Sequence, residues 1–177
     1  MKTILISGKA GHGKDTVAQL MKEELEKQGE KVLIIKFGDP VKWFAREYYN
    51  WDGNKNIQGR SLLQYIGTEM MRSYDEYYWG RIVSEFIAAN KDFTYALIPD
   101  WRFYTEKEAV LAANKECYTL RVERPNFINP NMTEEQSKHI SETELDHKSF
   151  DYIIYNNGSL ENLCENTKLA LDYFKNM

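Results

Sequence analysis

The sequence has two cysteines, Cys117 and Cys164, in 177 residues. That is too few for a disulfide framework or a cysteine-built zinc site. It has no apolar run near the ~20 residues that a membrane-crossing helix needs. Its first residues enter a strand-like run at once, without the charged-then-apolar pattern of a secretory leader. It has no surplus of positive charge: 23 Lys and Arg stand against 27 Asp and Glu, a formal net charge of −4. A broad basic face for duplex nucleic acid is therefore not expected, and any anion site must be a local cluster. Internal repeats, low-complexity tracts and linkers are missing too. With 42% hydrophobic and 28% charged residues, what is left is an ordinary globular chain, long enough for one domain with a real core. A cytoplasmic enzyme is the expectation. Glycine is also scarce, ten in all, yet three of the ten crowd into one turn near the N-terminus.

That turn organises the reading. Thr3-Ile4-Leu5-Ile6-Ser7 is apolar and β-branched, as a buried strand should be. Gly8-Lys9-Ala10-Gly11-His12-Gly13-Lys14 follows. Asp15 then opens a helix that sets Val17, Leu20, Met21 and Leu25 on one face. Strand, Gly-rich loop with a terminal Lys, helix is the order of a phosphate-binding P-loop. Backbone N–H groups at Gly8, Ala10, Gly11, His12 and Gly13 can converge on an anion. The helix start adds its dipole, and Lys14 adds a full charge for the outer phosphates. The usual pattern, G-x-x-x-x-G-K-[ST], puts a hydroxyl after the Lys. Here Asp15 stands there and Thr16 comes one later; a carboxylate can serve Mg2+ directly or through water. A turn of this composition that binds nothing is the competing reading, and the flanking strand and helix argue against it.

Further strands are expected at Lys31–Phe37, Thr94–Pro99, Cys117–Val122 and Tyr152–Tyr155. Helices are expected from Val41 to Tyr49, from Ser61 to Tyr74 with an interruption at Gly67, and from Tyr77 to Asn90. Two more are expected from Thr105 to Asn114, with Thr105 and Glu108 as a capping box, and from Leu160 onward. In the helix after Tyr77, Trp79, Ile82, Val83, Phe86 and Ile87 recur at helical spacing; Leu160, Leu163, Cys164, Leu171 and Phe174 do so in the last. Arg124 to Ser149 is polar and reads as a surface excursion. Strands alternating with helices predict an α/β three-layer sandwich, a five-stranded parallel sheet with helices on both faces. Ligands in such sheets bind beyond the carboxyl ends of the strands, where the P-loop, Asp39, Asp100, Arg102 and Arg124 all fall.

Arg60, Gln64, Thr68 and Arg72 recur every four residues and drift slowly round one helix face. With Asp39 and Lys42 they make a polar set in which two arginines could take a phosphate bidentately; a solvated helix face is the plainer alternative. Asp100, at a strand end near the P-loop, suits the Mg2+ shell, and Arg102 could bridge two phosphates. A capping Asp and a surface Arg would look the same. Trp43, Trp79, Trp101 and Phe37 could stack on a base or fill the core. Arg121, Arg124, Lys138 and His139 flank or lie in the polar excursion, either on a flap that closes over phosphates or as incidental charges. His139 has no partner at metal spacing and is not read as a ligand.

These residues, in this order, resemble the bacteriophage-type deoxynucleoside monophosphate kinases, a branch of the P-loop nucleoside monophosphate kinases. The blocks are Gly8 to Thr16, Asp39-Pro40, Leu62 to Glu69, Arg72, Trp79, Ile98 to Arg102, Arg124-Pro125, His139-Ile140-Ser141-Glu142 and Asn157 to Leu160. Each is weak alone apart from the P-loop; their shared order is specific, and it runs from Ile4 to Leu163. Asp15 after the Lys looks like a family trait. The resemblance implies a single domain over residues 1–177, an acceptor-binding region at about 38–92 and a lid at about 124–149. It implies transfer of the γ-phosphoryl group of ATP to a (deoxy)nucleoside monophosphate, with Mg2+.

On that reading Lys14, Arg102 and Arg124 are catalytic, and Asp15 and Asp100 serve the metal. Thr16 meets the inner phosphates, and Asn157 and Gly158 border the adenine. Arg72 and Arg102 hold the acceptor phosphate. Asp39 and Gln64 contact the acceptor's sugar or base, while Lys42, Arg60, Thr68, Trp79 and Asp100 complete its pocket. Two alternatives stay open. One is a P-loop kinase of another small molecule, phosphomevalonate-like or dephospho-coenzyme A-like, with Asp39 as general base. The other is a nucleotide-gated regulatory ATPase. Partners are expected to be small-molecule nucleotides, with no nucleic acid and no membrane; a homodimer is left open.

Overall fold

The inner strands of the sheet are buried on both faces, while the last strand leaves Ile153 and Tyr155 exposed. The computed structural model describes residues 1–114 and 116–177. It holds β1 (Lys2–Ser7), β2 (Val32–Ile34), β3 (Tyr95–Ile98), β4 (Cys117–Glu123) and β5 (Tyr152–Tyr155) in one sheet, ordered β2-β3-β1-β4-β5. All four pairings are parallel. β1 is central, with Leu5 beside Ile98 on one flank and Thr119 on the other.

The strand period of two splits the core. Ile4, Ile6, Leu97, Leu120 and Val122 face α1 (Lys14–Lys27) and α9 (Leu160–Lys175), meeting Val17, Met21, Leu25, Leu171 and Phe174. On the other side Leu5, Ala96 and Ile98 meet Val83 and Ile87 of α5 (Tyr78–Ala89), Val110 of α6 (Tyr104–Ala113) and Trp101. The expected α/β sandwich, parallel with five strands, is the fold that forms. Among the described residues no helix is long and apolar enough to cross a membrane.

A third apolar cluster joins α2 (Gly38–Tyr49), α3 (Ile57–Gln64), a π-helical segment (Tyr65–Met70) and α5 through Val41, Ala45, Trp51, Ile66 and Trp79. A short α4 (Met71–Tyr74) follows the π segment. Several sequence expectations shift in this region. β2 stops at Ile34, and α2 starts at Gly38 rather than Val41. The Asp100 carboxylate accepts the Phe37 and Gly38 backbone N–H groups at 2.9 and 2.8 Å and so caps α2 from across the sheet.

The helix expected over Ser61–Tyr74 begins earlier, at Ile57. The Asn56 side chain accepts the Gly59 N–H there at 2.8 Å. That helix is then widened around Gly67, whose carbonyl is taken by the Trp79 indole N–H at 3.0 Å. A side chain competing for a ladder carbonyl is a known cause of such a widening.

Elsewhere, the cap of α6 is Phe103, not Thr105, and Glu106 rather than Glu108 reaches back to it. The polar excursion carries two short helices, α7 (Glu134–Lys138) and α8 (Ile140–Thr143). Ile82, Phe86 and Leu160, expected on apolar faces, are exposed.

Candidate active site

The P-loop runs from the carboxyl end of β1 into α1. Gly13 has φ 97°, and a Cβ there would lie 2.6 Å from the Asn156 amide nitrogen. Gly8 passes so close to β4 that a Cβ would meet the Val122 carbonyl oxygen at 2.4 Å. Only glycine fits either place. The Lys14 ammonium turns back over the loop and donates to the Gly8 and Lys9 carbonyls at 2.5 and 2.9 Å. It is only 8% exposed, and burial, aided by the nearby Arg102 charge, holds its pKa well below the usual lysine value.

Asp15 and Thr16 are exposed at the start of α1. Asp15 pairs through one oxygen with Lys36 at 2.5 Å. That contact, with Asp100 close by, raises the Lys36 pKa against the opposing effect of burial. Asn156 donates to the His12 carbonyl at 3.0 Å, so the chain after β5 touches the P-loop one residue before the expected Asn157-Gly158. The His12 Nδ1 lies 3.1 Å from the Arg124 backbone nitrogen and 3.3 Å from the Val122 carbonyl oxygen, between a donor and an acceptor. Burial lowers its pKa.

A cavity of about 220 Å³ lies beside the loop, between α2, α3, the π segment and the carboxyl end of β3. Its lining includes Lys42, Arg60, Gln64, Thr68, Arg72, Trp79, Asp100 and Arg102, eight of the nine residues expected around an acceptor. Asp39 lies outside that lining; it is exposed and pairs with Lys42 at 2.7 Å. Of the aromatic candidates, Trp79 and Phe37 line the cavity, Trp101 is in the core, and Trp43 is 56% exposed on α2.

Arg72 and Arg102 are each held by a carboxylate. Arg72 pairs with Glu106 and lies 3.8 Å over the Phe103 ring. Arg102 donates to Glu142 of α8 at 2.8 Å, and the same Glu142 oxygen accepts the Ala10 N–H of the P-loop at 3.0 Å. Burial raises the Asp100 pKa against the pull of the two N–H groups it caps.

A second cavity, about 420 Å³, lies between the P-loop and the polar excursion, lined by Lys9, Ala10, His12, Phe127, Asn129 and Thr133 among others. Met132 and Glu142 line both cavities. Phe127 packs edge-on against His12 and carries the Arg124 guanidinium 4.3 Å above its ring. Asp146 ties this excursion down. It accepts from Lys9 at 2.9 Å and from Arg121 at 2.8 Å, and those bonds lower its pKa against the effect of burial. Arg121 is buried and also donates to Ser7, so its charge serves the fold. His139 bonds to Glu69 and Ser141, and Lys138 to Glu134. Among the described residues no group of three or more His, Cys, Asp and Glu stands at metal-binding spacing.

A P-loop, a cationic pocket beside it and a segment folded over both are the parts of a phosphoryl-transfer site. Residues 42–167 match the deoxynucleotide monophosphate kinase family model. The chain belongs to that family. No curated protein matches the sequence. Solved structures similar in fold are other P-loop kinases. The APS kinase CysC of Mycobacterium tuberculosis, in complex with AMPPNP and APS, is 14% identical with a TM-score of 0.56, covering 98% of this chain and 97% of that one. A sugar kinase from Janibacter sp. gives 13% and 0.58, covering 98% and 95%. Shikimate kinase from Acinetobacter baumannii, in complex with shikimate, gives 12% and 0.54, covering 99% and 94%.

Four polar residues of this deoxynucleotide monophosphate kinase site carry no sequence signal of their own. In the sequence Glu106 is one more acidic residue of a helix and Glu142 one of the polar excursion, because their arginine partners lie 34 and 40 positions away. Glu142 falls in a block that the family resemblance picks out, without a role. Lys55 reads as a loop lysine. It lines the 220 Å³ cavity, where burial and the neighbouring Lys42 charge lower its pKa. Lys36 reads as a strand residue, yet it ends beside Asp15.

Proposed function

We propose that this kinase transfers the γ-phosphoryl group of ATP to the phosphate of a deoxynucleoside monophosphate bound in the 220 Å³ cavity. The observation that carries the reading is the position of Glu142. One carboxylate oxygen touches both a P-loop N–H and Arg102, so the donor loop and an acceptor-side arginine stand one anion apart. A transferring phosphoryl group has the charge and the acceptor oxygens to take that place.

The acceptor is itself a phosphate, with a second pKa of about 6, and needs no base to become a nucleophile. Catalysis is then alignment and charge neutralisation. Lys14 would release its two loop carbonyls and follow the β- and γ-phosphates. Arg72 and Arg102 would hold the acceptor phosphate, with Arg124 swinging from its Phe127 stack to the donor side. Thr16 would meet the inner phosphates and Asn157-Gly158 the adenine edge. A hydroxyl acceptor fits less well, because Asp39, its candidate base, lies outside the cavity lining.

Mg2+ would offset the charge that develops on the phosphates during transfer. Asp15 fits as its protein contact. The residue is exposed, and the oxygen not bonded to Lys36 has no other partner among the described residues. Magnesium at kinase sites needs only one or two carboxylates, with phosphates and water completing its shell. Asp100, with both oxygens on backbone N–H groups, would act through water.

ADP release, followed across deoxy- and ribonucleoside monophosphates, tests the proposal. ATP consumption should depend on a monophosphate and yield the matching diphosphate. ATP hydrolysis at the same rate with no acceptor would refute it in favour of a regulatory ATPase.

A further inference from the structure

We propose that Glu106 is the positioning residue of the acceptor-phosphate site, a single buried carboxylate that sets Arg72 through its side chain and Arg102 through its backbone. The inference rests on the reading of those two arginines as acceptor ligands. Glu106 stands in the first turn of α6 and is 2% exposed. One oxygen takes the Arg72 guanidinium. The other accepts the Arg102 N–H at 2.8 Å and the Phe103 N–H at 3.0 Å. Phe103 is also the ring on which Arg72 lies. The carboxylate therefore fixes the head of one arginine, the surface it stacks on and the root of the other.

The rest of Arg72's support is thin. Its Nη1 donates to the Glu76 carbonyl at 2.9 Å and reaches the Thr105 hydroxyl only at 3.5 Å, and its buried Nε has no partner among the described residues. Without Glu106 the guanidinium would keep one carbonyl, one long hydroxyl contact and a ring face, and could turn on its stem.

The surroundings hold Glu106 in place. Gly80 lets α5 lie against α6 so tightly that a Cβ there would sit 2.8 Å from the Ala109 Cβ and 3.4 Å from the Glu106 Cα. Burial pushes the Glu106 pKa up to about 7, even with Arg72 and two N–H groups pulling it down. A carboxylate kept in such a place is a poor source of stability, since a buried ion pair is often matched by an apolar pair of the same volume. Precise placement of a charged ligand is a different gain, and a misplaced group at a reacting centre costs rate steeply.

The test compares Glu106→Gln, Arg72→Ala and the double variant by steady-state kinetics, with the acceptor and ATP varied separately. Glu106→Gln should raise the acceptor KM about tenfold or more and leave the ATP KM within about twofold. The double variant should fall well short of the two single effects combined, because the share that runs through Arg72 is already gone and only the share through the Arg102 backbone remains. Glu106→Asp, which keeps the charge one methylene short, is measured in the same way if Glu106→Gln does not fold. Costs that add in the double variant, or equal changes in both KM values, mean that Glu106 is only structural. If Arg72→Ala raises the acceptor KM and neither Glu106 variant does, this inference fails while the assignment of Arg72 survives. If Arg72→Ala leaves the acceptor KM unchanged, the assignment itself is wrong, and the inference falls with it.

Discussion

Lys14 stores the conflict on which the donor site depends. Its ammonium is buried against two carbonyls with no carboxylate in contact, and its pKa is lowered by burial first and by Arg102 second. A lysine whose folded pKa lies below its unfolded one costs stability wherever the unfolded chain would carry the charge. That cost is full below the folded pKa and fades as pH rises toward the ordinary lysine value. Replacing the ammonium by an apolar group of similar length removes the cost. Lys14→Met should therefore melt no lower than the wild type at neutral pH without nucleotide. Phosphoryl transfer should fall about 10²-fold or more, and AMPPNP should no longer raise the melting temperature. A melting temperature several degrees lower would show that the bonds to the Gly8 and Lys9 carbonyls outweigh the burial. Lys14 was readable because its whole context is seven consecutive residues whose glycine spacing admits few other uses. Glu106 was not, because a Glu in a helix gives no sign of an arginine that the fold brings to it from 34 positions away.

The strands were readable as elements because β-branched apolar runs between turns have few other fates; β5 forms over the same four residues that the sequence suggests. What the sequence hid were boundaries set by distant partners. The start of α2 depends on Asp100 and the widening at Gly67 on Trp79. α7 and α8, with five and four residues, are too short to show a period. α7 is fixed instead by the buried Gln136, which donates to the Ile57 carbonyl at 2.8 Å and to Ser61 at 2.9 Å on α3. α8 brings Glu142 onto the P-loop, where its carboxylate takes the Ala10 N–H that a donor phosphate would need on the proposed function. Glu142→Gln keeps the side chain's size and removes the competing charge. AMPPNP should then bind about fivefold tighter or more by calorimetry, and Arg102, freed of its partner, should leave the acceptor KM no worse than twofold. Unchanged or weaker AMPPNP binding would mean that Glu142 supports the donor site instead of competing for it.

At the scale of the whole molecule, stability and charge are unevenly spread. The sheet is gripped between two apolar clusters, and the acceptor side has a third. Residues 124–149 put only Leu145 into these cores and otherwise hold on through polar contacts, chiefly those of Gln136, His139, Glu142, Glu144 and Asp146. Before that foothold the chain is exposed, with Ile128 at 87%. Segments with few buried apolar contacts open at low free energy, and ligands bind by restricting them. The chain carries a net −4, while Lys42, Lys55, Arg60, Arg72 and Arg102 gather on one cavity. On the proposed function, anionic ligands would therefore arrive where the most weakly held segment could close on them. Amide hydrogen exchange should rank the molecule accordingly: slowest in β1, β3 and β4, intermediate in α2 to α4, fastest from Pro125 to Thr133. AMPPNP with a deoxynucleoside monophosphate, each at about 100 times its Kd, should add about 2.7 kcal/mol per ligand to global stability. It should slow exchange from Pro125 to Thr133 more than in the sheet. Protection confined to the P-loop would mean that this segment takes no part in closing over the substrates, and that its contacts with the loop only brace the empty protein.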